Sequence, residues 1–211
     1  MVKPYPKSKR IKLTGKALTD LKFEVWERDS IDGYPVCQYC FGESGSPIDK
    51  FPHHIIFKGA GGDDSKDNLI TLCIFCHALI HARKLFINPE TKEFYMKIYR
   101  IQDKEGRGPW KAGFSHQWVE TREDHDNLLP AYIDFESPHL KVKKGNYSGV
   151  GCRSKEQLKR WFTESEYKKL VSFGYESVII KVDNIIAESD IQLVFERSKP
   201  LNKNTKYFEL Y

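Results

Sequence analysis

The chain has 211 residues, of which 40% are hydrophobic and four are tryptophan, and this composition excludes a chain that is disordered throughout. Its length allows one large domain or two small ones. A net charge of +5 is too small to establish a nucleic-acid partner by itself. No apolar run approaches the roughly 18 residues of a membrane-spanning helix. The basic start at Met1–Lys7 also lacks the apolar segment of a secretory signal. We therefore expect a cytoplasmic protein with no membrane partner.

Basic residues are concentrated at the N-terminus. Residues 1–16 contain no acidic side chain and six basic ones: Lys3, Lys7, Lys9, Arg10, Lys12 and Lys16. Such an arm, placed at residues 1–18, would bind phosphates and release their counterions. The alternative is a frayed terminus that only improves solubility. The choice between the two depends on the motifs that follow.

The next stretch predicts a small α+β domain at residues 19–102. Leu21 and Val25 lie at helical spacing and predict the first helix. β-Branched and aromatic residues predict two short strands. In chain order we expect a helix at 19–29, a strand at 51–57, a Gly-rich loop at 59–64, a strand at 68–73, a helix at 76–85 and a hairpin at 86–101.

A change of composition at residues 103–109 predicts a boundary, and we expect a second α+β domain at residues 103–211. Two capping-box patterns predict helices there, and Gly174 suits the end of the second helix. The capping pairs are Ser154 with Gln157 and Thr163 with Glu166, and strands are expected at 177–182 and 191–195.

Four cysteines form two CxxC pairs, which is a pattern typical of a tetrahedral zinc site. The pairs are Cys37 with Cys40 and Cys73 with Cys76. A zinc ion bound by four thiolates has no position left for water, so it would brace the fold rather than react. The alternatives are disulfides or unrelated buried cysteines. An odd total of five cysteines favours zinc in a reducing compartment and leaves Cys152 as a buried thiol without a role.

Four histidines lie between and after these cysteines. His77 and His81 are one turn apart on the expected helix, which is the spacing of a bidentate metal clamp. His53 and His54 begin the expected strand and should point to opposite faces, so we expect one metal ligand and one base. An imidazole with an ordinary pKa of about 6.5 can take a proton from water when an acceptor holds its other nitrogen. The Asn68 carbonyl could be that acceptor, although a turn residue is an equally good interpretation.

The block from about Trp26 to His81 resembles an HNH endonuclease with the ββα-metal fold and a four-cysteine zinc site. The resemblance covers roughly a quarter to a third of the chain, judged by the span of its motifs. It is carried by Val25–Asp29 ahead of the first CxxC pair, His53-His54-Ile55, Gly61-Gly62-Asp63, Asp67-Asn68-Leu69, and Cys73-x-x-Cys76-His77 with His81.

The resemblance implies a role for each of these polar residues. His53 stands at the position of the first metal ligand, His54 at that of the general base, and Asn68 at that of the residue that orients the base. His77 stands where the helix supplies another ligand. His81 matches an additional ligand of the histidine-rich branch, which includes bacterial toxin nucleases.

The resemblance further implies a structural zinc ion and one catalytic divalent ion of the Mg²⁺, Mn²⁺ or Zn²⁺ type. Many family members have Asp where His53 stands. An all-imidazole site is softer and favours zinc, manganese, nickel or cobalt over magnesium. The identity of the catalytic ion therefore stays open.

The implied activity is hydrolysis of DNA phosphodiester bonds to 5′-phosphate and 3′-hydroxyl ends. We expect a phage or mobile-element enzyme, of the homing-endonuclease type, in a bacterial or phage-infected host cell. The C-terminal domain would then serve as a DNA-specificity module. The residues expected to contact DNA are Lys7, Lys9, Arg10, Lys12, Lys16 and Arg28.

Three alternatives stay open. The first is a non-catalytic zinc-dependent nucleic-acid-binding module, which would need the cysteines and the basic arm but not the histidines. The second is a toxin-type HNH nuclease. The third is a chain whose main function lies in the C-terminal half, where basic and aromatic residues mix; such a mixture suits nucleic-acid contact and equally an ordinary core. That set is Trp110, Trp118, Arg153, Lys159, Arg160 and Trp161.

Overall fold

The computed structural model describes residues 10–121, 123–125, 127–135 and 141–211. The chain divides into two compact units, Met1–Phe94 and Tyr95–Tyr211, and the division lies somewhat before the change of composition at residues 103–109. Both units combine helices with short strands, which confirms the expected α+β class. Within the described ranges, no helix has both the length and the apolar character that crossing a membrane requires.

The first unit starts with helix α1, Gly15–Arg28, which begins four residues earlier than its apolar pattern predicts. Leu21 and Val25 are buried on its inner face and form a small core with Leu69. Two short paired strands follow, β1 at Ser30–Ile31 and β2 at Tyr34–Pro35. This tight turn leads directly into the first CxxC pair.

The centre of the first unit is a pair of two-residue strands followed by a helix. Strand β3, His53–His54, pairs antiparallel with β4, Leu69–Ile70, so that His53 is opposite Ile70. Both strands are shorter than predicted because the backbone beyond them bonds elsewhere: the Ile56 N–H donates to the Asn68 side chain (2.8 Å) rather than to a neighbouring strand. Helix α2, Ile74–His81, starts two residues earlier and ends four residues earlier than predicted.

The loop between β3 and β4 folds back against its own start. The Gly62 N–H donates to the Phe57 carbonyl (3.0 Å), and a Cβ on Gly62 would lie 1.7 Å from the Ile56 carbonyl oxygen. Only glycine fits there, because any side chain would collide with backbone. The first unit ends with β5, Phe86–Ile87, and a turn closed by the Asn88 N–H on the Glu93 carbonyl (2.9 Å).

The second unit contains strands from two sheets. In one sheet, β6 (Phe94–Gln102) pairs antiparallel with β8 (Glu176–Val182), and β8 pairs with β11 (Lys206–Tyr207). The hairpin predicted at 86–101 forms its turn after β5, and its second strand, β6, additionally pairs with β8 far along the chain. The other sheet has the order β7 (Tyr147–Gly151), β10 (Leu193–Arg197), β9 (Asn184–Glu188).

In the part of this unit that the structure describes, three α-helices accompany the strands: α3 at Ala131–Asp134, α4 at Lys155–Lys159 and α5 at Glu164–Ser172. The Ser154 cap and the complete capping box of Thr163 and Glu166 are both confirmed. Gly174, with φ of +82°, follows α5 as predicted. Trp118 and Trp161 are buried in the core of this unit, together with Phe162, Leu170 and other apolar residues. Two tryptophans of the basic and aromatic set thus belong to an ordinary core.

Candidate metal centre and active site

The four paired cysteines form one compact cluster of thiols. Their Sγ atoms all lie within 4.8 Å of one another, and those of Cys40 and Cys73 are 3.8 Å apart. The first pair follows β2, and the second pair begins α2, where the Cys73 thiol accepts a hydrogen bond from the Cys76 N–H (3.4 Å). The helix start thus carries two of the four thiols. All four are free of disulfides.

The chemistry of this cluster fits a zinc ion. Burial raises the pKa of the Cys76 thiol strongly, and the neighbouring thiols raise it further. Burial would also raise the pKa of Cys40, but hydrogen bonding with the Ser44 hydroxyl and nearby backbone outweighs it and lowers the pKa to about 6. Four crowded thiols cannot all ionise without a cation between them, and zinc accepts four thiolates in a tetrahedron. The cluster could therefore hold a structural zinc ion, as the CxxC spacing predicts.

A second cluster brings together the imidazoles of His53, His77 and His81. One ring nitrogen from each lies within 4.8 Å of the others, and the Nε2 atoms of His77 and His81 are 2.9 Å apart. Strand β3 supplies the first residue, and one turn of α2 supplies the other two. Three nitrogen donors with a common focus are the donor set of a catalytic metal site that keeps positions open for water and substrate.

The electrostatics of this cluster also fit a cation. His53 is 4% exposed, and burial, followed by its imidazole neighbours His77 and His81, lowers its pKa to about 3. The ring is therefore neutral, which is the form that binds a metal ion.

Asp49, which the sequence did not indicate, orients one of these ligands. Its carboxylate accepts a hydrogen bond from His77 Nδ1, and this leaves Nε2 as the metal-facing nitrogen. Burial would raise the pKa of Asp49, but the hydrogen bond and charge of His77 outweigh it and lower the pKa. A carboxylate behind a ligating histidine fixes its tautomer and raises its basicity. Asp49 reaches this position because its N–H donates to the Leu72 carbonyl (2.9 Å), just ahead of α2.

His54 is not one of the three clustered imidazoles, although it follows His53 directly on β3. Its Nε2 lies 2.9 Å from Oδ1 of Asp64, and its ring is stacked on Phe51 with centroids 6.2 Å apart. Asp64 is 2% exposed and also contacts the ammonium of Lys58 (2.9 Å) and the Leu13 N–H (3.0 Å). The sequence motifs include the Gly-Gly-Asp loop, but they did not predict a role for Asp64.

Asn68 is close to the site but does not hold His54 in the expected way. Its Oδ1 accepts from the Ile56 N–H (2.8 Å), while its amide nitrogen donates to the carbonyls of Ile56 (3.1 Å) and Asp63 (3.0 Å). The expected contact between the Asn68 carbonyl and His54 is therefore corrected: the loop backbone already uses that oxygen. Asn68 instead ties the loop to the end of β3.

Arg28, expected to contact DNA, is occupied within the protein. Its guanidinium donates to both carboxylate oxygens of Asp29 (2.7 and 2.8 Å) and to the carbonyls of Lys66 (2.6 Å) and Leu69 (2.8 Å). All three nitrogens are thus engaged in joining α1 to the start of β4. These four bonds argue against the expected DNA contact of this residue, because a satisfied guanidinium has little reason to leave them for phosphate.

The remaining basic residues of the arm are differently placed. Arg10, Lys12 and Lys16 are exposed, and Arg10 donates a long hydrogen bond to the Lys58 carbonyl (3.4 Å) beside the Gly-rich loop. Lys7 and Lys9 lie outside the described residues. The described part of the arm therefore offers three exposed cations, of which Arg10 lies beside the loop that carries Asp64.

A two-strand and helix unit that focuses three imidazoles beside a four-thiol cluster defines a ββα-metal domain. In agreement, the family model for HNH endonuclease matches residues 37–83, which include both clusters. The family model described as Bacteriophage T4 Y00F protein matches residues 96–208, more than half of the chain, and the chain belongs to this family. No curated protein and no solved structure matches significantly.

Proposed function

We propose that the chain is a metal-dependent HNH endonuclease of phage or mobile-element type that hydrolyses DNA phosphodiester bonds to 5′-phosphate and 3′-hydroxyl ends. One observation carries the proposal: inside the segment that matches the HNH model, three imidazole nitrogens share a focus within 4.8 Å of one another. A zinc-binding module without catalysis needs the thiol cluster, but it has no use for a second cluster of donors.

His53, His77 and His81 would hold the catalytic ion, with Asp49 orienting His77 from behind. A divalent ion bound there supplies positive charge to the phosphate oxygens and the leaving oxygen in the transition state. The three neutral donors favour manganese, zinc, nickel or cobalt over magnesium. The thiol cluster would hold the structural zinc and fix the start of α2, which presents His77 and His81.

His54 is the proposed general base. It is adjacent to the ligand His53 on β3 but is not one of the three clustered imidazoles, so it can act on a water beside the ion without binding the ion. Its side chain is partly buried and is held by Asp64 and Phe51. A positioned imidazole of this kind contributes about 100- to 10,000-fold to a reaction rate.

DNA contact is proposed for the exposed residues Arg10, Lys12 and Lys16, and for Lys7 and Lys9 upstream of them. Membership of a family described by a phage protein supports a phage setting, and in that setting the second unit would select the DNA sequence. Location in the cytoplasm of the host cell remains a prediction from the sequence.

The experiment is cleavage of supercoiled plasmid and of single-stranded DNA by the purified chain with Mg²⁺, Mn²⁺, Zn²⁺, Ni²⁺ or Co²⁺, each with and without chelator. With Mn²⁺, Zn²⁺, Ni²⁺ or Co²⁺ we expect nicked or linear products with 5′-phosphate ends. With chelator we expect no cleavage products. His54→Ala is the matched variant: it should keep its metal content and lose at least about 100-fold in rate.

Two results would decide against the proposal. DNA binding without cleavage in every metal would favour the zinc-dependent binding module. Cleavage by His54→Ala at the wild-type rate would remove His54 from the role of base.

A further inference from the structure

We propose that Asp64 is the positioning residue of His54: it accepts the Nε2–H hydrogen bond and so fixes the tautomer whose Nδ1 lone pair faces the attacking water. The inference rests on the proposed function in treating His54 as a base. It assigns to a loop carboxylate the role that the sequence assigned to Asn68.

Asp64 is held as rigidly as the role requires. Its side chain is almost completely buried, and both carboxylate oxygens have partners: Oδ1 contacts His54 Nε2 and Lys58 Nζ, each at 2.9 Å, and Oδ2 accepts from the Leu13 N–H (3.0 Å). Its own N–H donates to the Ile11 carbonyl (2.9 Å). A carboxylate fixed by its backbone and by three donors cannot turn away from the imidazole.

The protonation state of Asp64 decides the direction of the hydrogen bond. Burial would raise its pKa, but the hydrogen bonds from Lys58, the Leu13 N–H and His54 outweigh it and lower the pKa to about 2. Asp64 is then a carboxylate at neutral pH and can only accept. The proton of a neutral His54 must therefore be on Nε2, which leaves Nδ1 with the lone pair.

The surroundings of His54 agree with this assignment. The stacked Phe51 ring, at an interplanar angle of 14°, sets the plane of the imidazole, and Asp64 sets its rotation in that plane. Among the hydrogen bonds of the described residues, none engages Nδ1 of His54. That nitrogen is thus left for water, while the Asn68 oxygen is bound to the Ile56 N–H.

The first measurement is the tautomer itself. Heteronuclear NMR of the imidazole nitrogens in the zinc-loaded full chain, with the His54 signal assigned by comparison with His54→Gln, should show His54 protonated on Nε2 at neutral pH. Protonation on Nδ1 would overturn the inference. This measurement needs no variant at Asp64 and no nuclease activity.

The second measurement is kinetic, with Asp64→Ala, Asp64→Asn and the control Asp63→Ala. Loss of the partner of an oriented imidazole should lower kcat about 10- to 100-fold in Asp64→Ala and leave KM for DNA unchanged. Asp64→Asn should retain more activity, because an amide oxygen can still accept from Nε2–H. The Asp63 carboxylate contacts only Ser65 among the described hydrogen bonds, so its removal should leave kcat unchanged.

An unchanged kcat in a folded Asp64→Ala protein would overturn the inference, as would an equal loss in Asp63→Ala. The two proposals fail separately. If no metal supports cleavage, the proposed nuclease function fails while the tautomer can still be measured. If cleavage is robust but His54 carries its proton on Nδ1, only the role of Asp64 fails.

Discussion

Asp49→Ala should weaken the imidazole site while leaving the thiol site intact. Asp49 accepts from His77 Nδ1 and is the reason that Nε2 of His77 faces His81 at 2.9 Å. Without the carboxylate, His77 is free to place its proton on Nε2, and that tautomer cannot bind a metal ion. Among the described hydrogen bonds, none joins Asp49 to a thiol of the cluster, so the thiols should still bind zinc.

The expected size of the effect follows from the exposure of the pair. Carboxylates behind ligating histidines contribute about 10- to 100-fold to metal affinity. Here the side chains of Asp49 and His77 are 26% and 25% exposed, so water partly screens their interaction. We therefore expect a loss near the lower limit, about tenfold, or about 1.4 kcal/mol.

Titration calorimetry with Mn²⁺ or Co²⁺ on the zinc-loaded protein measures this affinity directly. The matched control is Asp67→Ala, which removes the same charge from a side chain that is 97% exposed and should not change the affinity. Asp49→Asn should lie between the wild type and Asp49→Ala, since its amide oxygen can still accept from Nδ1–H. Wild-type affinity in a folded Asp49→Ala protein would refute the reasoning.

Three further predictions concern the scaffold. Cys76→Ser should lose the bound zinc and lower the melting temperature sharply, measured by metal analysis and calorimetry, whereas Cys152→Ser should retain its zinc. Gly62→Ala should reduce both stability and cleavage because its Cβ would lie 1.7 Å from a backbone oxygen, whereas Gly59→Ala, with nothing within 4 Å, should behave as wild type in both assays. Arg28→Ala should lower the free energy of unfolding by about 1–3 kcal/mol, because it removes charged hydrogen bonds that join α1 to β4. The dependence of DNA affinity on salt concentration should not change. A changed dependence would show that Arg28 contacts DNA.

Local spacing predicted parts of the ligand clusters, and the resemblance to HNH endonucleases added His53 as a ligand. Two CxxC pairs and an i, i+4 pair of histidines each describe geometry within one turn or one helix, and the structure brings the expected thiols and imidazoles together. The capping box of Thr163 and Glu166 is another such local pattern. Each of these local patterns can be predicted because its two residues are close in sequence.

The residues behind the ligands could not be predicted in the same way. Asp49 and His77 are 28 positions apart, and Asp64 reaches His54 only because the loop folds back at Gly62. Asn68 was correctly placed beside the site, but its oxygen was assigned to the wrong partner. A side-chain amide hydrogen-bonds to the backbone groups that the folded loop places beside it, and the path of the loop backbone cannot be read from the sequence.

The same limit applies to the sheets. The pattern at residues 86–101 predicted the local hairpin, but it did not predict that β6 also pairs with β8, which lies more than 70 residues later in the chain. Alternation of apolar residues predicts that a segment is a strand, but it does not identify the partner of that strand.

The most direct test of the account is to locate the metal ions by anomalous X-ray scattering from crystals grown with Zn²⁺ or Mn²⁺. We expect two sites in the first unit: one zinc ion among Cys37, Cys40, Cys73 and Cys76, and one ion bound by His53, His77 and His81. If the imidazole cluster holds no ion in crystals grown with a metal ion that supports DNA cleavage, the claim that these histidines bind the catalytic ion is contradicted.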